Sequence, residues 1–236
     1  MVNPSPTTYA LLGMLAVRSW TGYELTLQVR RSLRFVWPSS EGHLYRAQRR
    51  LVDLGWATVA QEPAGQRSRN RYSITDAGRT ALEGWLATEP EEPHFQIEGV
   101  LRTFFGDQGS RDELVASMRA TAEMSRSMLD EMLGFVDEYL EEGGPLWMLE
   151  RGAGGAERDR QELHGRPIFP ERLHVVALAI DVTSQLLDNL DSFFTDVSGQ
   201  VASWPNTADA SITPATRERL EQIRSRGRRN RPKDRG

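Results

Sequence analysis

The sequence predicts a mainly α-helical protein, with one short β-hairpin in its N-terminal domain and an all-α C-terminal domain of long helices. Three observations support this fold class. The chain has 236 residues, which exceeds a single typical domain of about 100 to 200 residues. Apolar residues recur at helical spacing over most of the chain. A run rich in proline and glutamate at residues 89–93 separates the part with the hairpin from the purely helical part.

The N-terminal domain is predicted to begin with three helices. An apolar stretch at residues 7–17 forms the first of them. Thr21 and Glu24 have the spacing of a capping box, which starts the second helix. A Trp-Pro-Ser-Ser turn at residues 37–40 interrupts the helical pattern, and the third helix then runs from about residue 40 to residue 54.

A β-hairpin and a fourth helix complete this domain. Residues 56–61 alternate like a strand, and a basic, turn-forming stretch at residues 63–71 leads to the short strand 72–74. Thr75 then opens the fourth helix. The order helix, helix, helix, hairpin, helix predicts a winged helix-turn-helix with a two-stranded wing.

The C-terminal half is predicted to contain a short helix at residues 97–105, a long helix at 111–142, a loop at 143–165 and a last long helix at about 170–204. Apolar positions in the last helix alternate in steps of three and four, as in a coiled-coil seam. We expect this seam to form a homodimer, and a seam between the two long helices of one chain is the alternative. The predicted dimerisation residues are Leu173, Val176, Ile180, Leu187, Leu190, Phe194, Val197 and Val201.

Charge is segregated along the chain, although the formal net charge is only -4. Residues 1–88 contain 11 arginines against 6 acidic residues, and residues 89–216 contain 9 arginines against 24 acidic residues. Residues 217–236 contain 9 basic residues against 3 acidic ones. Because nucleic-acid binding depends on the local field, the basic N-terminal domain suits DNA despite the acidic total.

Four strings in the N-terminal half resemble the PadR family of transcription regulators. They are YALLGML at Tyr9–Leu15, TGYEL at Thr21–Leu25, FVWPSSEGHLYRAQRRL at Phe35–Leu51 and RYSITDAG at Arg71–Gly78, in the family's order and spacing. The resemblance covers residues 8–86 and implies a winged helix-turn-helix that binds operator DNA, most often as a repressor. It also implies a helical C-terminal dimerisation domain and a response to small, frequently aromatic compounds. Gln48 departs from the pattern, because the family usually has leucine there.

The predicted DNA contacts lie on the third helix and on the wing. An α-helix fits the major groove with its N-terminal residues at the base edges, and arginine binds either guanine or phosphate. The recognition-helix contacts are Ser39, Ser40, Gly42, His43, Tyr45, Arg46, Arg49 and Arg50, and the wing contacts are Gln66, Arg67, Ser68, Arg69, Asn70 and Arg71. The alternative for both sets is simple solvent exposure. One winged domain binds weakly at physiological salt, so we expect an inverted repeat with half-sites about 34 to 36 Å apart, or a multiple of that.

The sequence therefore divides into a winged-helix DNA-binding domain at residues 1–88, a helical domain for dimerisation and effector binding at 94–205, and a basic, disordered tail at 206–236. The tail either adds DNA affinity or keeps the protein soluble. Three aromatic residues could line an effector pocket, although core packing is the alternative for each: Trp147, Phe169 and Trp204.

Several function classes are disfavoured. The chain has no cysteine, and its four histidines show no paired ligand spacing, so we expect neither a metal nor a cofactor. No convergent catalytic set stands out, which argues against an enzyme. The apolar stretch near the N-terminus is too short to span a bilayer, so we expect a cytoplasmic protein without membrane contact. The rival to a DNA-binding regulator is a winged-helix protein-interaction module that binds no DNA, for which the acidic middle is the best argument.

Overall fold

The structure is a computed structural model that describes residues 4–64, 67–152, 162–163, 166–208 and 214–229. The chain divides into two compact units. The first unit comprises Met1–Pro93 and Met148–Glu171, and the second comprises His94–Trp147 and Arg172–Gly236.

The described residues of the N-terminal part of the first unit, up to Pro93, form four helices and a three-stranded antiparallel sheet. These elements are α1 (Pro6–Val17), β1 (Trp20–Thr21), α2 (Gly22–Leu33), α3 (Glu41–Asp53), β2 (Ala57–Ala64), β3 (Arg67–Ile74) and α4 (Asp76–Leu86). The strand order is β1, β3, β2, with β3 paired to both neighbours. This arrangement confirms the winged helix-turn-helix and adds to the wing a third, two-residue strand that the sequence did not predict.

Side-chain caps fix where the helices of this unit begin. The Thr21 hydroxyl accepts from the Glu24 N–H at 3.3 Å, and the Thr21 N–H donates to Glu24 Oε2 at 2.8 Å, so the predicted capping box is confirmed. Ser40 caps α3 by accepting from the His43 N–H at 3.3 Å. Thr75 caps α4 in the same way through the Gly78 N–H.

The core of the first unit lies between α1, α2, α3 and the sheet, and Trp20 is its largest fully buried side chain. The Trp20 indole N–H donates to Met14 O at 2.9 Å, which satisfies its single polar atom. The Phe169 ring packs edge-on against Trp20 at 5.9 Å between centroids. Gly78 also needs to be glycine, because an added Cβ would lie 2.2 Å from Trp56 O.

The second unit is built on two long helices. Its elements are α5 (Glu98–Phe104), a short 3-10 helix (Gly106–Gln108), α6 (Arg111–Leu140), α8 (Leu173–Ala202) and α9 (Pro214–Arg229), and α7 (Pro145–Glu150) lies at the boundary between the units. The chain between α7 and α8 belongs to the first unit as far as Glu171. It contains a small antiparallel pair, β4 (Glu162–Leu163) and β5 (Arg166–Pro167), and a second 3-10 helix (Pro170–Arg172) that precedes α8.

The two long helices pack antiparallel along one apolar seam. The beginning of α6 faces the end of α8, where Arg111 Nη1 donates to Trp204 O at 3.0 Å. Further along, the Arg126 guanidinium forms two hydrogen bonds to the Asp191 carboxylate, at 2.8 and 3.0 Å. Their shared core consists of Leu114, Val115, Met118, Ala122, Phe194, Val197 and Val201.

Three segments differ from their predicted structure. The expected loop at 143–165 contains helix α7 and β4, and residues 153–161 and 164–165 of it lie outside the described part of the chain. Helix α9 occupies much of the tail that was expected to be disordered. Arginine, glutamate, glutamine and leucine dominate α9, and these residues have high helix propensity despite its strong charge. Helical spacing predicts that Trp85 and Leu86 lie on the buried stripe of α4, but both are exposed, and Trp85 stacks on Tyr9.

Candidate nucleic-acid interface

Helix α3 separates its residues cleanly into a buried and an exposed face. Leu44, Ala47, Gln48 and Leu51 are buried against the rest of the first unit. The opposite face is exposed, and it contains six of the predicted DNA contacts: Gly42, His43, Tyr45, Arg46, Arg49 and Arg50. Ser40 is exposed at the N-cap, and Ser39 beside it is partly buried. The structure therefore brings this predicted set together on one surface.

The exposed arginines of α3 differ in their pairing from five other arginines of the chain, which form ion pairs: Arg30, Arg71, Arg102, Arg111 and Arg126. Among the described residues, no ion pair includes Arg46, Arg49 or Arg50. By contrast, Arg30 is paired with Glu41 in the first turn of α3. Three guanidinium groups on one helix face without carboxylate partners create a local positive field, which suits the binding of a polyanion.

Gln48 locks α3 onto α2 through buried hydrogen bonds. Its side-chain N–H groups donate to Gly22 O and to Thr26 Oγ1, each at 2.9 Å, and the Gln48 side chain is 1% exposed. An added Cβ at Gly22 would lie 2.9 Å from Gln48 Oε1, so the two helices approach closely at this point. The sequence showed Gln48 as a departure from the family pattern, and the structure gives it a positioning role.

The wing places its residues in two different environments. Ser68, Arg69 and Asn70 are exposed on β3. Arg67 begins β3, and Gln66 lies outside the described residues. Arg71 is turned to the protein instead: its Nε lies 2.5 Å from Glu62 Oε1, and its Nη1 donates to Ser19 O at 3.1 Å.

Arg71 and Glu24 tie the wing to the start of α2. Arg71 Nη1 lies 3.8 Å from Glu24 Oε2. Partial burial by itself raises the pKa of Glu24, but hydrogen bonds from Thr21 and the nearby charges of Arg71 and Arg18 outweigh it and lower that pKa below its ordinary value. The geometry gives Arg71 a bracing role, and its predicted DNA contact is less well supported than that of Arg69.

A cleft that three arginines line lies beside α3, and the sequence did not predict it. It has a volume of about 330 Å³ and lies between the end of α2 and the turn that leads into α3. The Trp37 indole at its edge donates to Thr7 Oγ1 at 2.9 Å, which fixes the ring. The sequence does contain a signal for this cleft, because three arginines occur within five positions: Arg30, Arg31 and Arg34.

The residues predicted for dimerisation are largely covered within one chain. Leu187, Phe194, Val197 and Val201 are buried, and the last three pack against α6. The other four, which are Leu173, Val176, Ile180 and Leu190, are partly buried. The intramolecular alternative thus accounts for the C-terminal part of the seam, and a dimer role for its N-terminal part stays a prediction.

The three predicted effector residues lie in different surroundings. Phe169 packs on Trp20 in the first unit, and Trp204 packs on the α6–α8 core of the second unit. Trp147 belongs to the second unit and is partly buried. Each aromatic side chain thus has protein around it, and an effector role stays a prediction.

In the part of the chain that the structure describes, no three histidine or acidic side chains come together in a way that could hold a metal ion. None of the helices in those residues has the length and apolar character needed to cross a membrane.

Comparison with known proteins agrees with this geometry. Residues 11–84 match the model of the Transcriptional regulator PadR-like family. The Negative transcriptional regulator PadR of Bacillus subtilis is 24% identical over 140 residues, which are 58% of this chain and 77% of that protein. The Probable transcriptional regulator Rv1176c of Mycobacterium tuberculosis is 33% identical over 107 residues, which are 44% of this chain and 53% of that protein.

Solved structures show the same fold at low identity. Bacillus subtilis PadR in complex with operator DNA has a TM-score of 0.61 at 18% identity, covering 82% of this chain and 98% of that one. The same protein in complex with p-coumaric acid has a TM-score of 0.56 at 19% identity, covering 83% and 98%. These similarities extend the shared fold beyond the winged domain. The winged domain at residues 11–84 thus matches the PadR-like family, whose members are transcriptional regulators rather than enzymes.

Proposed function

We propose that this protein is a sequence-specific, DNA-binding transcription regulator that acts in the cytoplasm as a homodimer on an inverted-repeat operator. The observation that carries the proposal is the exposed face of α3, where Arg46, Arg49 and Arg50 stand without acidic partners among the described residues. The capped N-terminus of α3 adds free backbone N–H groups, which favour a phosphate. Arg69 on the wing extends the positive surface.

Repression and a response to a small molecule are the finer parts of this proposal. A curated relative is named a negative regulator, and the same Bacillus protein has been solved with p-coumaric acid. We propose a repressor whose operator affinity falls when a small aromatic acid binds. Such a ligand acts by favouring one spacing of the two winged domains in the dimer.

The homodimer is supported by the apolar surface of the second unit. Val100, Leu101, Phe104 and Phe105 on or next to α5 are exposed, although each is large and apolar. Neighbouring apolar side chains of this size on a soluble protein usually mark an interface. Two winged domains in one particle give the two half-site contacts that specific binding requires.

The direct test is electrophoretic mobility shift with the protein's own promoter region and an equal length of unrelated DNA as competitor. Arg46→Ala and Arg49→Ala should each weaken binding by about 1 to 3 kcal/mol if they contact bases. Arg102→Ala is the matched control, because Arg102 is an exposed arginine of α5 that pairs with Glu98.

Retention of full affinity in both α3 variants would move the interface elsewhere. Failure of the wild-type protein to shift any DNA at low salt would favour the protein-interaction module instead. Addition of p-coumarate to the same assay tests the effector class.

A further inference from the structure

Helix α9 has the pattern of one strand of a coiled coil. Four small or apolar residues recur in steps of four, three and four, at Thr216, Leu220, Ile223 and Gly227. All four positions that flank this stripe are arginine: Arg217, Arg219, Arg224 and Arg226. Flanking positions of one sign repel a second copy of the same helix and select a partner helix with acidic flanks.

The two large apolar side chains of the α9 stripe are exposed in the part of the chain that the structure describes. Leu220 is 62% exposed and Ile223 is 51% exposed. Arg219 forms a hydrogen bond to Gln200 near the end of α8, and this contact holds α9 beside that end without covering either side chain. The stripe is therefore available to another surface.

Helix α8 has an exposed face of the opposite charge. Five apolar side chains on this face are 45 to 69% exposed, and we call them the outward stripe: Val175, Leu178, Val182, Leu186 and Phe193. Helix α8 contains four aspartates and no lysine or arginine. At 100° per residue, Asp181 and Asp188 fall along one edge of the outward stripe, and both are exposed.

The stripe of α9 is short enough to lie within the outward stripe. At 1.5 Å per residue, the outward stripe from Val175 to Phe193 spans about 27 Å, and the α9 stripe from Thr216 to Gly227 spans about 17 Å. DNA phosphates would match the arginines of α9 but would leave Leu220 and Ile223 exposed to water. An acidic helix with an apolar stripe satisfies both features.

We propose that α9 of one copy packs on the outward stripe of α8 in a second copy, and that the exchange is reciprocal in a two-fold dimer. The exchanged α9 pairs its arginines with the aspartates of the partner copy and buries the two exposed stripes together. This inference rests on the homodimer of the proposed function.

Cysteine cross-linking of the full chain tests the exchange, because the natural sequence contains no cysteine. Val182→Cys and Ile223→Cys, combined in one chain, place thiols near the middle of each stripe, where the helices meet in either orientation. Treatment with a short bis-maleimide should give a covalent dimer on a denaturing gel. The matched control combines Val182→Cys with Ser225→Cys, which lies on the opposite side of α9 and should not cross-link.

Each other outcome overturns the inference in a recognisable way. A closed monomer means that α9 folds onto α8 of its own chain, and a covalent dimer from Val182→Cys alone means that two copies of α8 pair directly. Absence of a cross-link in a protein that light scattering shows to be dimeric rejects the exchange and leaves the proposed function intact. A monomer by light scattering rejects the homodimer as well.

A charge-reversal pair separates protein contact from DNA contact. Arg217→Glu with Arg224→Glu should raise the dissociation constant of the dimer severalfold, and Asp181→Arg with Asp188→Arg in the same chain should restore it. If the first pair leaves the dimer unchanged and instead lowers the affinity for DNA, α9 binds DNA and the proposed exchange is wrong.

Discussion

Arg71→Ala tests whether two neighbouring wing arginines perform different tasks. The Arg71 side chain is 28% exposed and bonds to Glu62 in β2 and to Ser19 O before β1. A hydrogen bond to a charged group contributes about 1.5 to 3 kcal/mol when shielded, and solvent exposure reduces an ion pair towards 0 to 1 kcal/mol. Because Glu62 is 43% exposed and regains water, we expect the free energy of unfolding to fall by about 1 to 2 kcal/mol.

The assay combines urea unfolding with DNA affinity measured across a salt series, and Arg69→Ala is the comparison. Arg69 is exposed, and no ion pair among the described residues includes it. Its removal should keep the free energy of unfolding within about 0.5 kcal/mol of the wild-type value. The slope of the logarithm of the binding constant against the logarithm of the salt concentration should become shallower by about 0.9, for one lost phosphate contact. Arg71→Ala should change stability and leave the slope nearly unchanged. A normal stability together with a reduced slope would show that Arg71 reaches DNA and that the bracing argument is wrong.

Three further changes test the packing and the titration. Hydrogen bonds and nearby cations hold the pKa of Glu24 below its ordinary 4.5 despite partial burial, so its contribution to stability is present at neutral pH and is lost as the pH falls through that lowered value. Glu24→Gln should therefore lose less stability than the wild type between pH 7 and pH 3 in urea unfolding, and identical curves would contradict this. Phe194→Ala should lower the free energy of unfolding by about 3 to 5 kcal/mol, since Phe194 is 1% exposed, whereas Met124→Ala on α6, where the side chain is 66% exposed, should lower it by under about 1 kcal/mol; equal losses would reject the assigned seam. Gln48→Leu should keep the free energy of unfolding within about 1 kcal/mol of the wild-type value, because the Thr26 hydroxyl still donates to Gly22 O. Gln48→Ala should lower it by about 2 to 4 kcal/mol, because it leaves a cavity. Calorimetry of the two variants measures this difference.

The features that the sequence predicted well are those encoded within a few residues. The Thr21 capping box needs only a hydroxyl and a carboxylate three positions apart. The two faces of α3 follow from apolar spacing at the helical period, and the seam of α8 follows from the same rule over 30 residues. Charge segregation likewise needs only counting, and it identified the winged domain as the basic part of an acidic chain.

The tertiary structure decided which of these patterns has a partner, because partners are distant in sequence. In the sequence, nothing distinguishes Arg71 from the other arginines of the wing. Only the fold brings Glu62 and Ser19 within hydrogen-bond distance of its guanidinium group. Helical periodicity shows that α8 has an apolar seam, but only packing shows that α6 covers Phe194 while Phe193 on the next position stays exposed. Strand β1 has two residues and no periodicity of its own, so its pairing with β3 could arise only from the fold.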